Sequence, residues 1–277
     1  NKKNNKKTEI KFDEKAYQLN FNEGVEYASN LIRVNYSAMN VPATVYQYNL
    51  KTEKRKKLKQ QKIPAGFNKN KYETKRVFAK SHDGKKIPIS ILKLKTTKNN
   101  APTLLYGYGS YGMSITPSFS VARLSLVDRG MVFAIAHIRG GMEKGRQWYL
   151  DGKLRKKKNT FKDFINSAKF LKNSDISGDL TIHGGSAGGL LIGSTINMAS
   201  KLFKSAVADV PFVDVLNTIL DASLPLTPPE WEEWGNPILN KKDFLNIQSY
   251  SPYDNIKKQE YPSLLVTAGL TDPRVTY

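Results

Sequence analysis

The sequence predicts an α/β fold, in which a mostly parallel sheet is covered by helices and is preceded by a segment of antiparallel β-structure. From Ala101 onward, short apolar strands alternate with amphipathic helices, a pattern typical of a parallel sheet that is buried on both faces. Before Ala101, apolar and polar residues alternate over short β-rich runs without a helical period, which favours antiparallel strands.

Each element is placed by its own local pattern. In the first part, alternation predicts strands at residues 34–37 and 43–50, and at 75–80 and 87–94 around an Asp83-Gly84 turn that favours a hairpin. Further on, five apolar runs predict strands at residues 103–106, 131–138, 180–183, 205–210 and 263–268. Helices are predicted near residues 120–128, 161–171 and 187–198, the second from apolar residues at helical spacing.

Length and composition indicate a globular protein. The 277 residues are 39% hydrophobic and include no cysteine, so disulfides, thiolate nucleophiles and cysteine metal sites are excluded. No run approaches the ~18 apolar residues of a membrane span, and residues 1–7 are polar and basic with no apolar segment behind them. We therefore expect a cytoplasmic protein that needs no membrane, metal or cofactor.

The formal net charge of +20 raises the question of a nucleic-acid partner. Of the 44 basic residues 35 are lysines, scattered among polar loops, so we assign them to solvated faces. The basic runs at residues 54–59 and 156–158 lack the interleaved aromatic residues of a stacking platform. We expect no specific nucleic-acid binding, although a basic binding module is kept as an alternative.

A glycine-rich motif carries the chemistry. Residues 184–189, Gly-Gly-Ser-Ala-Gly-Gly, lie between a predicted strand and a predicted helix. A G-x-S-x-G sequence in that context is the nucleophile elbow of α/β-hydrolases, whose tight turn needs glycines around an exposed serine. Ser186 is thus the predicted nucleophile; a plain glycine-rich helix start and a phosphate site at the helix N-terminus are the alternatives.

A serine nucleophile needs a histidine and a carboxylate, and in this fold the acid and then the histidine follow the serine along the chain. Asp272 comes 86 residues after Ser186 and just past the predicted strand at 263–268, so it is the predicted acid. Asp209 and Asp214 also follow a strand, but they come early and are assigned to capping and turns.

The histidines of the chain do not fit the predicted order. His82, His137 and His183 all precede Ser186, and we assign them to packing and turns. No general base is visible.

Several motifs together resemble the prolyl oligopeptidase family, most closely its trypsin-like oligopeptidase B branch, along nearly the whole chain. They are Tyr-Gly-Tyr-Gly-Ser-Tyr-Gly at 106–112, His-Ile-Arg-Gly-Gly at 137–141, the elbow at 184–189, Glu-Glu-Trp-Gly-Asn-Pro at 232–237 and Ser-Pro-Tyr-Asp-Asn at 251–255.

The resemblance implies a domain organisation. Residues 1–70 are expected to be the end of a β-propeller and residues 71–277 an α/β-hydrolase catalytic domain. Relatives place the catalytic histidine some tens of residues beyond the acid, whereas only five residues follow Asp272. We therefore expect a C-terminally truncated catalytic domain that is inactive by itself.

The resemblance also implies roles for site residues. Tyr108 and the Ala187 backbone N–H would form the oxyanion hole, where two donors face the developing negative charge. Arg274 would hold a substrate carbonyl.

The same resemblance implies a preference for basic substrates. Glu230 and Glu232, two apart in an expected extended loop, would face one pocket and bind an Arg or Lys side chain. Thr116 and Ser118 stand where relatives carry acidic residues for a second basic subsite, which argues against a dibasic preference.

The expected function is hydrolysis of short basic peptides after Arg or Lys through an acyl-enzyme at Ser186. An esterase or acyl-peptidase on the same scaffold and an inactive remnant of a split or decayed gene stay open as alternatives. The sequence predicts no oligomeric state.

Overall fold

The computed structural model describes residues 7, 9–22, 26, 28–272 and 275. Its first part is a four-stranded antiparallel sheet in which each strand pairs with the next along the chain. The strands are β1 (Tyr17–Asn22), β2 (Leu31–Ala38), β3 (Val41–Asn49) and β4 (Arg55–Gln60). This small sheet confirms the antiparallel β-structure predicted for the beginning of the chain.

The second part is built on a seven-stranded sheet. Its strands are β5 (Tyr72–Lys80), β6 (Lys86–Leu94), β7 (Ala101–Tyr106), β8 (Val132–Ala136), β9 (Ser177–Gly185), β10 (Ser205–Asp209) and β11 (Ser263–Thr267). They lie in the order β11-β10-β9-β7-β8-β6-β5. Strands β7 to β11 are parallel, and the β5–β6 hairpin extends the sheet by antiparallel pairing of β6 with β8. The predicted, mostly parallel sheet is confirmed.

Seven α-helices connect the strands in the described part of the chain. They are α1 (Val121–Val127), α2 (Arg146–Leu150), α3 (Lys158–Asn173), α4 (Ala187–Ala199), α5 (Val215–Leu220), α6 (Thr227–Trp234) and α7 (Lys241–Gln248). Helices α1, α3 and α4 agree with the prediction, whereas the short helices α2, α5, α6 and α7 were not predicted. None of the helices in these ranges is long and apolar enough to cross a bilayer.

Apolar side chains cover the seven-stranded sheet on both faces. Helices α3 and α4 bury residues such as Phe161, Phe164 and Leu190 against one face. Helix α1 buries Leu124 and Val127 against the other face. Because both faces are covered at the centre of the sheet, β8 is apolar and buried along its whole length. Strand β11, at the edge, is exposed.

The small sheet contacts the seven-stranded sheet through the β2–β3 hairpin. Met39, in that hairpin, is buried in the apolar cluster that contains Tyr72 and Leu92. Nearby, the backbone N–H of Phe119 donates a hydrogen bond to the Ser37 hydroxyl at 3.0 Å. The chain passes from one sheet to the other between β4 and β5; residue 70 itself stays a predicted boundary.

A buried ion pair anchors the segment after β8. Arg139 is 1% exposed, and its guanidinium donates to the Asp163 carboxylate at 2.6 and 2.7 Å and to Asp83 at 2.7 Å. Asp163 is itself fully buried in α3. Two parallel bonds in a water-free setting fix the position of the Arg139 backbone relative to α3.

This pair leads to a prediction about stability. Asp163→Asn should lower the free energy of unfolding by roughly 3–5 kcal/mol, because it leaves a buried guanidinium with too little compensating charge. Glu73→Gln, which removes the same charge from an exposed pairing with Lys75, should change it by less than about 1 kcal/mol. Urea denaturation of both variants measures the difference, and equal losses would contradict the prediction.

Candidate active site

Ser186 sits on a sharp turn between β9 and α4. Its backbone has φ 55° and ψ −121°, a left-handed conformation that is uncommon for a residue with a side chain. Glycines make the turn possible, because a Cβ on Gly184 would collide with the Gly188 carbonyl oxygen and one on Gly189 with Pro211. The Ser186 N–H donates to the Asp209 carbonyl at 2.9 Å. The structure thus has the strand–turn–helix geometry that the sequence predicts.

Tyr108 lies beside this turn because β7 and β9 are parallel neighbours, with Tyr106 opposite His183. The close approach is visible at Gly188, where an added Cβ would be 3.3 Å from the Tyr108 ring. Burial raises the pKa of Tyr108, while a hydrogen bond with the Ser186 side chain acts in the opposite direction. The phenol therefore stays protonated near neutral pH and can donate.

A second donor comes from the helix itself. Ala187 is the first residue of α4, and a backbone N–H at that position has no acceptor inside the helix. The predicted pair of donors, Tyr108 and Ala187, therefore flanks Ser186. A hydroxyl nucleophile with two adjacent donors has the parts needed to attack a carbonyl and to stabilise the oxyanion that forms.

Asp272 lies at the same edge of the sheet as Ser186. It follows β11, which is separated from β9 by β10, and the carboxyl ends of these parallel strands meet at one edge. Asp272 is partly buried in a turn, where its carboxylate accepts the Val275 N–H at 3.0 Å. Its role as the acid stays a prediction, and Arg274 lies outside the described residues.

The three histidines have other partners. His82 lies 3.2 Å from the Ser81 hydroxyl, and the buried His137 lies 2.7 Å from the Ser90 hydroxyl. Within residues 7, 9–22, 26, 28–272 and 275, no hydrogen bond joins any of the three histidines to Ser186. That the general base is not one of these three stays a prediction.

Asp209 is not merely a capping or turn residue. Its carboxylate lies 2.6 Å from the His183 ring and accepts the Thr267 hydroxyl at 2.8 Å. These two hydrogen bonds lower the pKa of Asp209, and the one with His183 has the larger effect. The signal was present in the strand pattern: β9 and β10 pair His183 with Val207, so Asp209, two residues later, projects from the same face.

The acidic segment before Trp234 differs from the expectation. An extended loop was expected, but residues 227–234 form α6, whose first turn accommodates Pro228. Successive helical residues turn by ~100°, so Glu230 and Glu232 point in nearly opposite directions. Glu232 is exposed, whereas Glu233, which lies on the side of Glu230, is 4% exposed. The prediction that Glu230 and Glu232 share one pocket is wrong.

Both inward carboxylates contact Tyr111 in the segment 106–112, which we call the Tyr-Gly loop. The Tyr111 N–H donates to Glu233 at 3.0 Å and its hydroxyl donates to Glu230 at 2.9 Å. The Trp234 indole also donates to Glu230, at 2.6 Å. Burial and the Glu230 charge raise the pKa of Tyr111, so its hydroxyl stays a donor. Sequence reasoning missed Tyr111 and Glu233; the i, i+3 spacing of the two glutamates was the available signal.

Lys157 corrects the assignment of all lysines to solvated faces. It is 1% exposed, and its ammonium donates to the Gly109 carbonyl at 2.6 Å and the Ser110 hydroxyl at 2.7 Å. Burial lowers the pKa of Lys157 to about 8, while the Glu233 charge acts in the opposite direction. The Tyr-Gly loop is therefore held by a buried cation as well as by the two glutamates.

No metal-binding cluster is apparent in the site. Among the residues that the structure describes, no group of three or more histidine, aspartate or glutamate side chains is arranged to hold a metal ion.

Comparison with known proteins places the geometry in a family. Residues 117–277 match the model of the Prolyl oligopeptidase family. Dipeptidyl aminopeptidase BI of Pseudoxanthomonas mexicana is 46% identical over 97% of this chain and 38% of its own length. Protease 2 of Moraxella lacunata is 41% identical over 97% of this chain and 39% of its own length.

A solved structure gives the same picture. Oligopeptidase B from Leishmania major superimposes with a TM-score of 0.89 at 45% sequence identity, covering 96% of this chain and 38% of that one. This chain therefore spans about 38% of the length of the relatives it matches.

Proposed function

Because this chain belongs to the prolyl oligopeptidase family, we propose that it forms part of a serine peptidase whose nucleophile is Ser186. The observation that carries the proposal is the positive-φ Ser186 between β9 and α4, with the Tyr108 ring packed beside the turn at Gly188. The peptidase names of the relatives support the proposal.

In the proposed reaction, a histidine base takes the Ser186 proton as the hydroxyl attacks the scissile carbonyl. Tyr108 and the Ala187 N–H donate to the oxyanion of the tetrahedral intermediate, which collapses to an acyl-enzyme and releases the amine. Water then attacks the acyl group by the same route. Asp272 is the proposed acid, and the base is a histidine other than the three in this sequence.

We propose short basic peptides as substrates, in the cytoplasm, with the substrate's Arg or Lys side chain bound at Glu230. Glu230 accepts both of its recorded hydrogen bonds, from Tyr111 and Trp234, through Oε2. In the described part of the chain Oε1 has no recorded donor, so it can accept one from a guanidinium or ammonium group. Glu232 is exposed on the other side of α6, so in this proposal it does not contact the substrate cation.

The specificity proposal predicts an unequal effect on two substrates. In the complete protein, Glu230→Gln should lower kcat/KM for an arginyl amide by on the order of 10- to 100-fold, because the substrate cation loses its half-buried counter-charge. A matched neutral amide should change by less than about threefold. Steady-state kinetics with both substrates measure the ratio.

Glu232→Gln is the matched control, since it removes the same charge from the exposed side of α6 and should leave the ratio unchanged. Equal loss on the arginyl and the neutral substrate after Glu230→Gln would show that Glu230 is structural. If Glu232→Gln instead lowered kcat/KM for the arginyl amide relative to the neutral amide, Glu232 would be the residue that binds the basic side chain.

A second candidate is removal of dipeptides from the N-terminus of a peptide, suggested by the 46% identity to a dipeptidyl aminopeptidase. It uses the same Ser186 chemistry and differs in needing a free α-amino group on the substrate. Comparing one peptide with a free and a blocked N-terminus separates the two candidates.

A further inference from the structure

The buried ammonium of Lys157 makes its hydrogen bonds to the Tyr-Gly loop. Both recorded acceptors, the Gly109 carbonyl and the Ser110 hydroxyl, lie within two residues of Tyr108. Ser110 is itself fully buried, so water does not compete for these bonds. The cation therefore restrains the backbone that directly follows the proposed oxyanion donor.

We propose that Lys157 is a positioning residue of the peptidase reaction, which fixes the Tyr-Gly loop so that the Tyr108 hydroxyl points at the oxyanion formed on Ser186. The inference rests on the proposed function. Lys157 touches neither Ser186 nor Tyr108 in the recorded contacts and acts through Gly109 and Ser110.

Energetics argue against a role in stability alone. Moving an ammonium out of water is unfavourable unless it is fully paired, and a methionine of similar length would fill the same space without that penalty. The loop has a reason to need the restraint: Gly109 has φ 76°, a backbone conformation that glycine can adopt but that no side chain of its own holds in place. A charged donor that binds two successive residues of such a loop restricts it strongly.

The same ammonium connects the loop to helix α6. It lies 4.9 Å from the centroid of the Trp234 ring, within the range of a cation–π interaction. Trp234 in turn donates to Glu230. Lys157 thus lies where the oxyanion donor and the proposed binding site for a basic side chain meet, and it can keep both in one arrangement.

The test compares Lys157→Met with Lys169→Met in the complete protein. Lys169 is exposed on α3, so its variant removes the same charge without touching the loop. Lys157→Met should lower kcat by on the order of 10- to 100-fold, because a small displacement of an oxyanion donor is costly in the transition state. KM should stay within about threefold, and Lys169→Met should match the wild type.

A double-mutant cycle separates positioning from general damage. If Lys157 acts through Tyr108, Lys157→Met should lower kcat by less than about threefold in a Tyr108→Phe background, because the donor it positions is already gone. The same fold-loss in both backgrounds, or an unchanged kcat in the single variant, would overturn the inference. If Lys157→Met does not fold, Ser110→Ala, which removes one acceptor, replaces it in the same cycle.

Labelling of Ser186 by a serine-directed phosphonate keeps the two proposals apart. If the wild type is labelled and hydrolyses peptides but the cycle shows no coupling, only the inference about Lys157 fails. If neither the wild type nor Lys169→Met reacts at Ser186, the proposed function fails and the inference falls with it.

Discussion

Ser186→Ala should abolish peptide hydrolysis by the complete protein, lowering kcat by roughly 10⁶-fold, and should eliminate labelling by a serine-directed phosphonate. The effect is large because the hydroxyl forms the covalent intermediate, so the donors that remain can supply only a small residual rate. Rate measurements with a sensitive fluorogenic peptide, together with mass analysis of the labelled protein, test both parts.

Ser125→Ala is a suitable control, because Ser125 is an exposed serine on α1 and its loss should leave rate and labelling unchanged. Labelling that persisted in Ser186→Ala would place the nucleophile elsewhere and would remove the basis of the proposed mechanism.

Tyr108→Phe should lower kcat by on the order of 10²- to 10³-fold with little change in KM, as expected for one oxyanion donor. The substitution keeps the ring that packs beside Gly188 and removes only the hydroxyl, so the loop geometry is preserved. The hydroxyl gains importance as the oxyanion forms, which is why the loss should appear in kcat.

Tyr106→Phe provides the comparison, because Tyr106 is the first residue of the Tyr-Gly loop, at the end of β7, and its hydroxyl makes no hydrogen bond in the part of the chain described. It should leave kcat within about threefold of the wild type. A change in kcat below threefold for Tyr108→Phe would exclude Tyr108 as an oxyanion donor.

The elbow could be predicted because its geometry is determined locally. The glycines around Ser186 are required by contacts with nearby backbone, and the flanking strand and helix have clear apolar patterns. The order of the parallel strands then brings Tyr108 to Ser186, which the motif at 106–112 indicated only by resemblance.

The network around Tyr111 could not be predicted, because it joins residues far apart in the sequence. Tyr111 and Glu230 are separated by 119 residues and Lys157 and Gly109 by 48, and no local pattern encodes such pairings. The error at Glu232 had a local cause: an extended loop was assumed before Trp234, although the prolines there fit the first turn of a helix. If a helix had been predicted at 230–233, the i, i+3 spacing would have paired Glu230 with Glu233 instead of with Glu232.

The hydrogen bond between Phe119 and Ser37 has a thermodynamic consequence for the two sheets. It joins the N-terminal sheet to the chain segment that begins with the Tyr-Gly loop, and the buried Met39 reinforces the same contact. We therefore expect order in the loop and attachment of the N-terminal sheet to be linked equilibria. Such linkage is reciprocal. A ligand that orders the loop around the oxyanion site would tighten the attachment of the N-terminal sheet. Attachment of that sheet would strengthen binding of the ligand by the same factor.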